Sequence, residues 1–369
     1  MSERFIGLMS GTSLDGVDGV VYDFSGQSPQ VIAFASAPFS VELRAELLAL
    51  NSAGGNELHR AALAANGLTR VYAGVVNKLL VQSSLKASEI KAIGAHGQTV
   101  RHRPGEFDGA GYTLQLNNPA MLAELTQIDV VADFRSRDVA AGGQGAPLVP
   151  AFHQDIFAKL NEAVAVLNMG GISNLSVLGK DEPMLGFDCG PGNALMDYWC
   201  HLHTGQLFDA DGALAASGRV SDALLNQLMS EPFINKVPPK STGRDLFNAA
   251  WLQHKMQGFA DITAQDVQAT LTEFTALACA ENCKRYANNC KTLIVCGGGA
   301  LNGHLMRRLQ AALSNMNVAN SEAFGLPPLQ VEAAAFAWLA RKAIRRETAS
   351  FKSVTGAQGS RILGAIYPS

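Results

Sequence analysis

The sequence lacks the features that would assign it to several common classes of protein. Its six cysteines all lie in the second half of the 369 residues, and none has the paired C-x-x-C spacing of a zinc site. A chain of this length needs no disulfide bridges, so reduced thiols in a cytosol are expected. Uncharged segments are interrupted by Gly and Asn before they reach the length of a membrane span, and the apolar run Phe5–Met9 is too short for a signal peptide. A net charge of −3 provides no basic surface for nucleic acid or an anionic membrane. We therefore expect a cytoplasmic protein whose partners are small soluble molecules.

Two familiar nucleotide-binding patterns are also missing from the Gly-rich turns. The turn at Gly11 is not followed by the Gly-Lys-Ser/Thr of a P-loop, and the triplet at 297–299 is not the G-x-G-x-x-G of a dinucleotide fold. Glycine is nevertheless abundant, with 36 residues, and it clusters at a few points instead of repeating with a short period. Such clusters indicate backbone turns around ligands and argue against a fibre.

The order of apolar and polar segments predicts duplicated α/β domains. At 369 residues, 47% of them hydrophobic, the chain is long enough for two or three domains with large cores. Arg4–Met9 and Gly19–Phe24 are apolar segments on either side of a polar Gly turn, which predicts a hairpin. The same theme returns at Ala163–Leu178, roughly 160 residues later, and helical patterns lie between and after the two hairpins. The alternation of strands and helices predicts sheets covered by helices.

Three Gly turns at strand ends are candidate phosphate contacts. In the first hairpin, glycine lets backbone N–H groups approach an anion, hydroxyls add donors, and a carboxylate can hold a water of Mg²⁺. The second hairpin turn contains Gly170 and Gly171, and the third turn is Gly297, Gly298 and Gly299. An ordinary hairpin turn is the alternative for each of them taken alone.

Asp188 is the most suggestive carboxylate. It ends an apolar strand and is followed by Gly-Pro-Gly-Asn and a helix that begins near Ala194, with Asn193 as its expected N-cap. A helix N-terminus favours the ionised carboxylate that a general base requires, although a structural Asp in a turn is the alternative. His96, Arg135 and Glu332 are weaker candidates, since a hydrogen-bonded His, a solvated ion pair and a helix-terminal Glu would explain them equally well.

Taken together, these motifs resemble the anhydro-N-acetylmuramic acid kinase family. The similar segments run in order through nearly the whole chain: Met9–Asp18 (MSGTSLDGVD), Gly94–Thr99 (GAHGQT), Asp133–Arg135 (DFR), Ala141–Leu148 (AGGQGAPL), Asn168–Asn174 (NMGGISN), Gly186–Asn193 (GFDCGPGN), Cys296–Asn302 (CGGGALN) and Glu332–Ala340 (EAAAFAWLA). The first and sixth segments are specific, whereas the Gly triplet is shared by many folds. Cys189 stands where the family pattern has Thr, at a position that is not expected to carry chemistry.

The resemblance implies an actin/hexokinase-like (ribonuclease H-like) fold of two α/β domains with a nucleotide cleft between them. The expected first domain is residues 1–134, with 341–369 packing back on it, and the expected second domain is 135–340. The implied reaction uses ATP and Mg²⁺. Water opens the 1,6-anhydro bridge of a sugar recovered from the cell wall while its O6 receives the γ-phosphoryl group, giving N-acetylmuramic acid 6-phosphate and ADP. A homodimer is also expected.

The resemblance also implies roles for individual residues. Asp188 matches the catalytic base, and Asp15 is expected at the metal. His96, Arg135 and Glu332 are expected at the sugar. The ATP-binding positions are expected to be Gly11, Thr12, Ser13, Leu14, Asp15, Gly16, Val17, Asp18, Gly170, Gly171, Gly297, Gly298 and Gly299.

Two other functions stay open at this point. A different sugar kinase on the same fold is the nearer one, because a fold does not name its substrate. An actin-like ATPase that serves assembly or chaperoning is the second. The carboxylate before a helix, and the lack of an obvious filament or peptide-binding extension, count against it. ATP turnover that requires a sugar would separate these functions.

Overall fold

The computed structural model describes residues 3–11, 13–26, 29–157, 162–179, 183–243 and 246–369. In chain order its strands are β1 (Arg4–Met9), β2 (Gly16–Asp23), β3 (Gln30–Pro38), β4 (Ile93–Ala95), β5 (Gln98–Pro104), β6 (Gly111–Leu116), β7 (Val130–Ala132), β8 (Val164–Met169), β9 (Ile172–Leu178), β10 (Leu185–Pro191), β11 (Thr292–Cys296), β12 (Asn317–Asn320) and β13 (Ala365–Tyr367).

The α-helices are α1 (Val41–Ala49), α2 (Glu57–Ser83), α3 (Pro119–Thr126), α4 (Ser136–Ala140), α5 (Val149–Phe157), α6 (Ala194–Thr204), α7 (Ala213–Ala216), α8 (Asp222–Met229), α9 (Pro232–Asn235), α10 (Ala249–Lys255), α11 (Ala264–Tyr286), α12 (Gly303–Ala312), α13 (Val331–Ile344) and α14 (Lys352–Thr355). Short 3₁₀ turns occupy Ala87–Glu89, Ala210–Gly212, Gly298–Leu301, Ser321–Phe324 and Pro328–Gln330. Among the described residues, no helix combines the length and the apolarity that crossing a bilayer requires.

Two sheets repeat one strand order. In the first, β1, β2 and β3 are antiparallel neighbours, β4 lies parallel to β1, β7 lies parallel to β4, and β13 covers the edge beyond β7. In the second, β8, β9 and β10 are antiparallel neighbours, and β11 and β12 continue the sheet in parallel from β8. Each sheet therefore has the order third, second, first, fourth, fifth strand. This repeat confirms the duplicated α/β architecture that the two hairpin motifs predict.

The described chain divides into two compact units at limits that differ from the predicted ones. One unit holds Met1–Phe152 and Gln330–Ser369, and the other holds His153–Leu329. Residues 135–152 stay with the first unit because Thr355 Oγ1 donates to Asp138 Oδ1 at 2.8 Å and the Gln144 N–H donates to the Thr355 carbonyl at 2.7 Å. The segment from 330 to 340 also stays there, because it forms most of a helix that packs on β1.

That helix is α13, and its small side chains allow it to lie unusually close to the first sheet. A Cβ at Gly7 on β1 would stand 1.8 Å from the Ala333 carbonyl oxygen, and one at Gly94 on β4 would stand 2.0 Å from that of Phe336. Ala333, Ala337 and Ala340 are fully buried in this contact. The other face of the sheet is covered by α2, whose buried residues include Leu68, Tyr72, Val75, Val76 and Leu79. The first core is therefore a helix–sheet–helix sandwich.

The strand β3 and the hairpin of β5 and β6 could not be identified from the pattern of apolar and polar residues. β3 pairs with β2 along its whole length, but its buried and half-buried positions are mostly Ala, and its Ile32 is exposed. β5 and β6 form a separate hairpin in which polar residues, some of them buried, occupy more than half of the positions. Neither segment shows the clean alternation of apolar and polar residues that identifies a strand from sequence.

We expect Gly7→Ala to destabilise the first unit strongly, because the added carbon overlaps backbone atoms of α13 that have no room to move. The expected loss is at least about 3 kcal/mol in the free energy of unfolding, measured by urea denaturation. Gly74→Ala is the control, since Gly74 is an exposed position in α2 whose Cβ would meet nothing within 4 Å. It should stabilise the protein by about 0.5–1 kcal/mol. Equal stabilities of the two variants would contradict the proposed fit of α13 on β1.

Candidate active site

The structure places the predicted site residues in both units, and each half is described by itself. In the first unit the loop between β1 and β2 carries most of the predicted ATP-binding positions. Thr12 lies outside the described residues. A Cβ at Gly11 would meet only Ser13, at 3.6 Å from its Oγ and 4.0 Å from its backbone nitrogen, so this backbone position is open. Asp15 is exposed and accepts a 2.7 Å hydrogen bond from Ser13 Oγ. The loop therefore presents backbone, hydroxyl and carboxylate at one point.

Three of the predicted positions are fixed by packing. Leu14 has φ +57° and buries its side chain, and Val17 is buried as well, so these two side chains belong to the core. A Cβ at Gly16 would stand 2.3 Å from the Ala37 carbonyl oxygen, which makes glycine necessary for the pairing of β2 with β3. Contact of these residues with a ligand would have to use their backbone.

The three predicted sugar-site residues lie together in the first unit. His96 Nε2 accepts hydrogen bonds from Arg135 Nε at 3.2 Å and Nη2 at 3.0 Å, and its Nδ1 stands 3.3 Å from the Ser10 carbonyl oxygen. Because a guanidinium only donates, the imidazole proton sits on Nδ1 and is donated to Ser10. Burial, and after it the charge of Arg135, lowers the pKa of His96 to about 3. Burial also lowers the pKa of Arg135 to about 10, against the opposing charges of Glu332 and Asp138. The histidine is thus neutral and the arginine charged at neutral pH.

In the second unit, Asp188 lies on β10 at the point where the pairing with β9 shifts register. Its Oδ1 accepts from Asn174 Nδ2 at 2.9 Å and its Oδ2 accepts from the Thr242 N–H at 2.9 Å. Burial raises the pKa of Asp188, while these two hydrogen bonds and the charge of Lys240 oppose the shift. Each oxygen keeps a second lone-pair direction. The carboxylate is therefore held in one orientation and is a better proton acceptor than a solvated one.

The two Gly turns of the second unit meet around Met169. A Cβ at Gly297, where φ is +79°, would stand 2.7 Å from the Met169 carbonyl oxygen, and one at Gly299 would stand 2.6 Å from Met169 Cβ. The Asn193 N–H donates to the Gly170 carbonyl at 2.7 Å, and the Gly192 N–H donates to that of Gly171 at 2.9 Å. Gly170, Gly171 and the triplet at 297–299 thus form one continuous backbone surface.

Asn193 stands at the N-cap position of α6 but makes no side-chain cap. Its Nδ2 instead donates to the Met169 carbonyl at 3.3 Å, and its backbone is helical. The N-cap expected from the sequence is therefore correct in position and wrong in its hydrogen bond. The side chain joins the β8–β9 turn to the start of the helix.

Comparison with known proteins identifies the family. The model of the anhydro-N-acetylmuramic acid kinase family matches residues 3–369. The chain belongs to this family. An anhydro-N-acetylmuramic acid kinase of Variovorax paradoxus (strain S110) is 66% identical over 371 residues, which cover 99% of each chain. Another, of Albidiferax ferrireducens (strain ATCC BAA-621 / DSM 15236 / T118), is 63% identical over 388 residues, which cover 100% of each chain. The resemblance found in the motifs is thereby confirmed.

A solved structure supports the fold of this kinase. Component A of (R)-2-hydroxyglutaryl-CoA dehydratase from Acidaminococcus fermentans has a TM-score of 0.50 at 12% identity, and the match covers 92% of this chain and 98% of that one. At this identity the similarity concerns fold alone. Together with the repeated strand order, it agrees with the actin/hexokinase-like fold expected of the family.

Some residues of the candidate site were not found from the sequence. Asn174 and Thr242 orient Asp188. Lys240 is buried over the rings of Phe187 and Phe233, and its carbonyl accepts from the Asp188 N–H at 3.2 Å. Asn174 lies within the Asn168–Asn174 motif, so the sequence pattern had already marked its segment as a candidate. Thr242 and Lys240 lie more than 50 residues from Asp188 in a loop without a pattern.

The buried histidines make the stability of this kinase depend on pH. Between the ordinary His pKa of 6.5 and the folded value of about 3, the unfolded chain binds a proton that the folded chain does not. Stability should therefore fall as the pH drops through this window. His96→Gln should reduce the slope by about 1.4 kcal/mol per pH unit, measured by urea midpoints between pH 6.5 and 4.

His153→Gln is the matched control. The pKa of His153 is also lowered to about 3 by burial, and it lies in the second unit beside Ser176. Both variants should flatten the slope, and only His96→Gln should impair turnover. An unchanged slope in both variants would contradict the protonation states assigned here.

Proposed function

We propose that this chain is an ATP-dependent kinase that opens the 1,6-anhydro ring of 1,6-anhydro-N-acetylmuramic acid and phosphorylates O6, with N-acetylmuramic acid 6-phosphate and ADP as products. The reaction would serve peptidoglycan recycling. Membership of the family supports the substrate and the reaction type. The observation that carries the mechanism is the carboxylate of Asp188, whose orientation is fixed by hydrogen bonds from Asn174 Nδ2 and the Thr242 N–H.

Asp188 acts as the general base in this proposal. It takes a proton from a water whose oxygen bonds to C1 of the sugar, while the C1–O6 bond breaks. O6 then bonds to the γ-phosphorus, the bond from that phosphorus to the bridging oxygen breaks, and ADP leaves. Burial raises the pKa of Asp188 and so strengthens the base, while the two hydrogen bonds and the charge of Lys240 oppose that shift.

ATP would be held by backbone groups of the Gly turns. The open position at Gly11 and the joined surface of Gly170, Gly171 and residues 297–299 are suited to the close approach of phosphate. Gly16, Leu14 and Val17 would support this loop through the sheet and core contacts described above.

The carboxylates of the first loop fit Mg²⁺. Burial, and after it the negative charge of Asp15, raises the pKa of Asp18 to about 6. Two carboxylates that repel each other would be relieved by a cation, and Mg²⁺ usually takes only one or two protein carboxylates along with phosphate and water. Within the described ranges, no group of three or more Cys, His, Asp or Glu side chains is placed to hold a metal by itself. When bound with ATP, the ion would neutralise charge on the transferred phosphoryl group, and we propose Asp15 as the residue that orders its water shell.

His96, Arg135 and Glu332 would contact the sugar. Arg135 keeps its charge in a half-buried place where His96 and the Gly145 carbonyl occupy part of its guanidinium. Such a group suits the carboxylate of a muramic acid. A cytoplasmic location and a homodimer remain predictions. The need for ATP as a substrate supports the cytoplasmic location. Light scattering of the purified protein would test the homodimer.

ATP consumption in the presence of anhydro and ordinary amino sugars tests the proposed function. Turnover should require 1,6-anhydro-N-acetylmuramic acid, and the product mass should equal substrate plus water plus one phosphoryl group. A sugar without the bridge that supports equal turnover would favour the alternative kinase, and turnover without any sugar would favour an ATPase. Either outcome would sink the proposal.

The fate of solvent oxygen tests the coupled mechanism. In ¹⁸O-labelled water, the label should appear at C1 of the product, and the phosphate should carry none, because O6 comes from the original bridge. Mass spectrometry of the sugar phosphate, quenched before the anomeric oxygen exchanges, measures both. Absence of label at C1, or labelled inorganic phosphate in place of the sugar phosphate, would contradict the coupled mechanism, because the second result means that water and not O6 had attacked phosphorus.

Asp188→Asn should remove turnover while leaving folding and sugar binding nearly intact. The change is almost isosteric, but the amide cannot accept the proton of the water, and loss of a general base costs on the order of 10²–10⁴ in rate. Asp222→Asn, an exposed carboxylate at the start of α8, is the control and should keep normal turnover. Activity of Asp188→Asn within a few-fold of the parent would remove Asp188 from the mechanism.

Gly11→Val should raise the Michaelis constant for ATP much more than that for the sugar. The added side chain has room in the protein but would occupy the space where phosphate approaches. Gly55→Val is the control, since a Cβ there meets nothing within 4 Å, and it should leave both constants unchanged. A defect confined to sugar affinity would assign this hairpin to the other substrate.

A further inference from the structure

A closed ring of hydrogen bonds lies directly beneath the first Gly loop. The Gly97 N–H donates to Tyr72 Oη at 3.0 Å, Tyr72 Oη and Ser10 Oγ are 3.0 Å apart, and Ser10 Oγ donates to the Gly97 carbonyl at 3.1 Å. The three residues come from helix α2, from the end of β1 and from the turn after β4. All three are far apart in sequence.

The direction of each bond in the ring follows from its protons. Ser10 has one hydroxyl proton and gives it to the Gly97 carbonyl, so the Tyr72 hydroxyl must be the donor to Ser10. Tyr72 in turn accepts from the Gly97 N–H. Every donor and acceptor in the ring is used once, and no other protonation of the two hydroxyls satisfies all three contacts. Burial raises the pKa of Tyr72, so its phenol stays protonated throughout the working pH range.

The turn that closes this ring also holds the next residue of the loop. Gln98 Nε2 donates to the Gly11 carbonyl at 3.0 Å, and His96 Nδ1 donates to the Ser10 carbonyl at 3.3 Å. His96 and Gln98 therefore hold the peptide carbonyls on both sides of the Gly11 Cα. Gly97 has φ +80°, and a Cβ there would stand 2.7 Å from the Leu116 carbonyl oxygen, so the turn tolerates only glycine.

Burial gives this ring its rigidity. Tyr72 and Gln98 are 0% exposed and Ser10 is 1% exposed, so water cannot replace a lost partner. Removal of one member leaves a buried donor or acceptor unsatisfied, which is more unfavourable than the absence of the bond itself. The surrounding α2 side chains keep the phenol in one place.

We propose that Tyr72 is a positioning residue for the nucleotide, and that its hydroxyl holds the Ser10–Gly11 backbone in the geometry that receives phosphate. The inference rests on the proposed role of the Gly11 loop in ATP binding. Backbone recognition of an anion depends on the orientation of peptide groups, and Gly11 has no side chain of its own to fix that orientation. The Tyr72–Ser10–Gly97 ring supplies the constraint from below, without touching the ligand.

Tyr72→Phe tests the proposal by removing a single oxygen. The dissociation constant for a non-hydrolysable ATP analogue with Mg²⁺, measured by calorimetry in the absence of sugar, should rise about tenfold. The Michaelis constant for ATP should rise in parallel, while kcat at saturating ATP changes much less. Ser10→Ala opens the same ring and should weaken nucleotide binding in the same direction. Since the ring acts as a unit, opening it twice should add nothing. The affinity of the double variant for the analogue should therefore equal that of the single variant with the lower affinity.

Thr69→Val is the matched control. Thr69 lies one turn before Tyr72 in α2, is equally buried, and its hydroxyl donates to the Ala65 carbonyl and accepts from the Asn118 N–H. It should lower thermal stability to a similar degree and leave analogue binding unchanged. A Tyr72→Phe protein with lowered stability and normal analogue affinity would overturn the proposal, and so would an equal affinity loss in Thr69→Val. If the parent protein binds the analogue but turns over no anhydro sugar, the proposed function fails while the role of Tyr72 still stands.

Discussion

The close fit of helix α13 on strands β1 and β4 is the constraint on which the first unit depends. Gly7 and Gly94 allow carbonyl oxygens of the helix to approach where a methyl group would overlap them, and alanines on the helix make the fit possible. The two strands end at Met9 and Ala95, so the residues that follow, Ser10 and His96, take their places from this contact. Glu332 stands in the first turn of the same helix and acts electrostatically on Arg135. The contact of α13 with β1 and β4 therefore both packs the first core and positions the candidate site residues of that unit.

Burial has opposite consequences for the charged groups of the two half-sites. In the first unit it removes the charge from His96, whose neutral ring can then accept two hydrogen bonds from Arg135 while its other nitrogen donates to the backbone. In the second unit it raises the pKa of Asp188, while an amide, a peptide N–H and the charge of Lys240 favour the anion and oppose that shift. Both groups are ordered by their partners before any ligand arrives. Preorganised groups of this kind need little rearrangement during a reaction.

The repeated strand order gives each unit a hairpin turn made of glycine and small polar residues, but the two turns are supported differently. The β1–β2 loop is held by the side chains of Tyr72, Ser10 and Gln98. The β8–β9 turn is held mainly by backbone contacts with residues 192–194 and by the side chain of Asn193. Duplication has preserved the topology while the supporting contacts have diverged, which explains why the sequence identity between the copies is weak.

The sequence by itself determined the family, the α/β class and the duplication, and it predicted most of the candidate site residues, because each of these is recorded in a short local motif. A Gly turn after an apolar strand, or a carboxylate before a helix, can be recognised from about ten residues of sequence. Only the tertiary structure showed which other residues orient the candidate site groups. Thr242, Lys240 and Tyr72 show no motif, and Asn193 forms a different bond from the one its position suggested, since their partners lie on other elements and meet them only when the sheets assemble. The limits of the two units were decided in the same way, because contacts between residues more than 200 positions apart, such as that of Asp138 with Thr355, outweigh the local order of the chain.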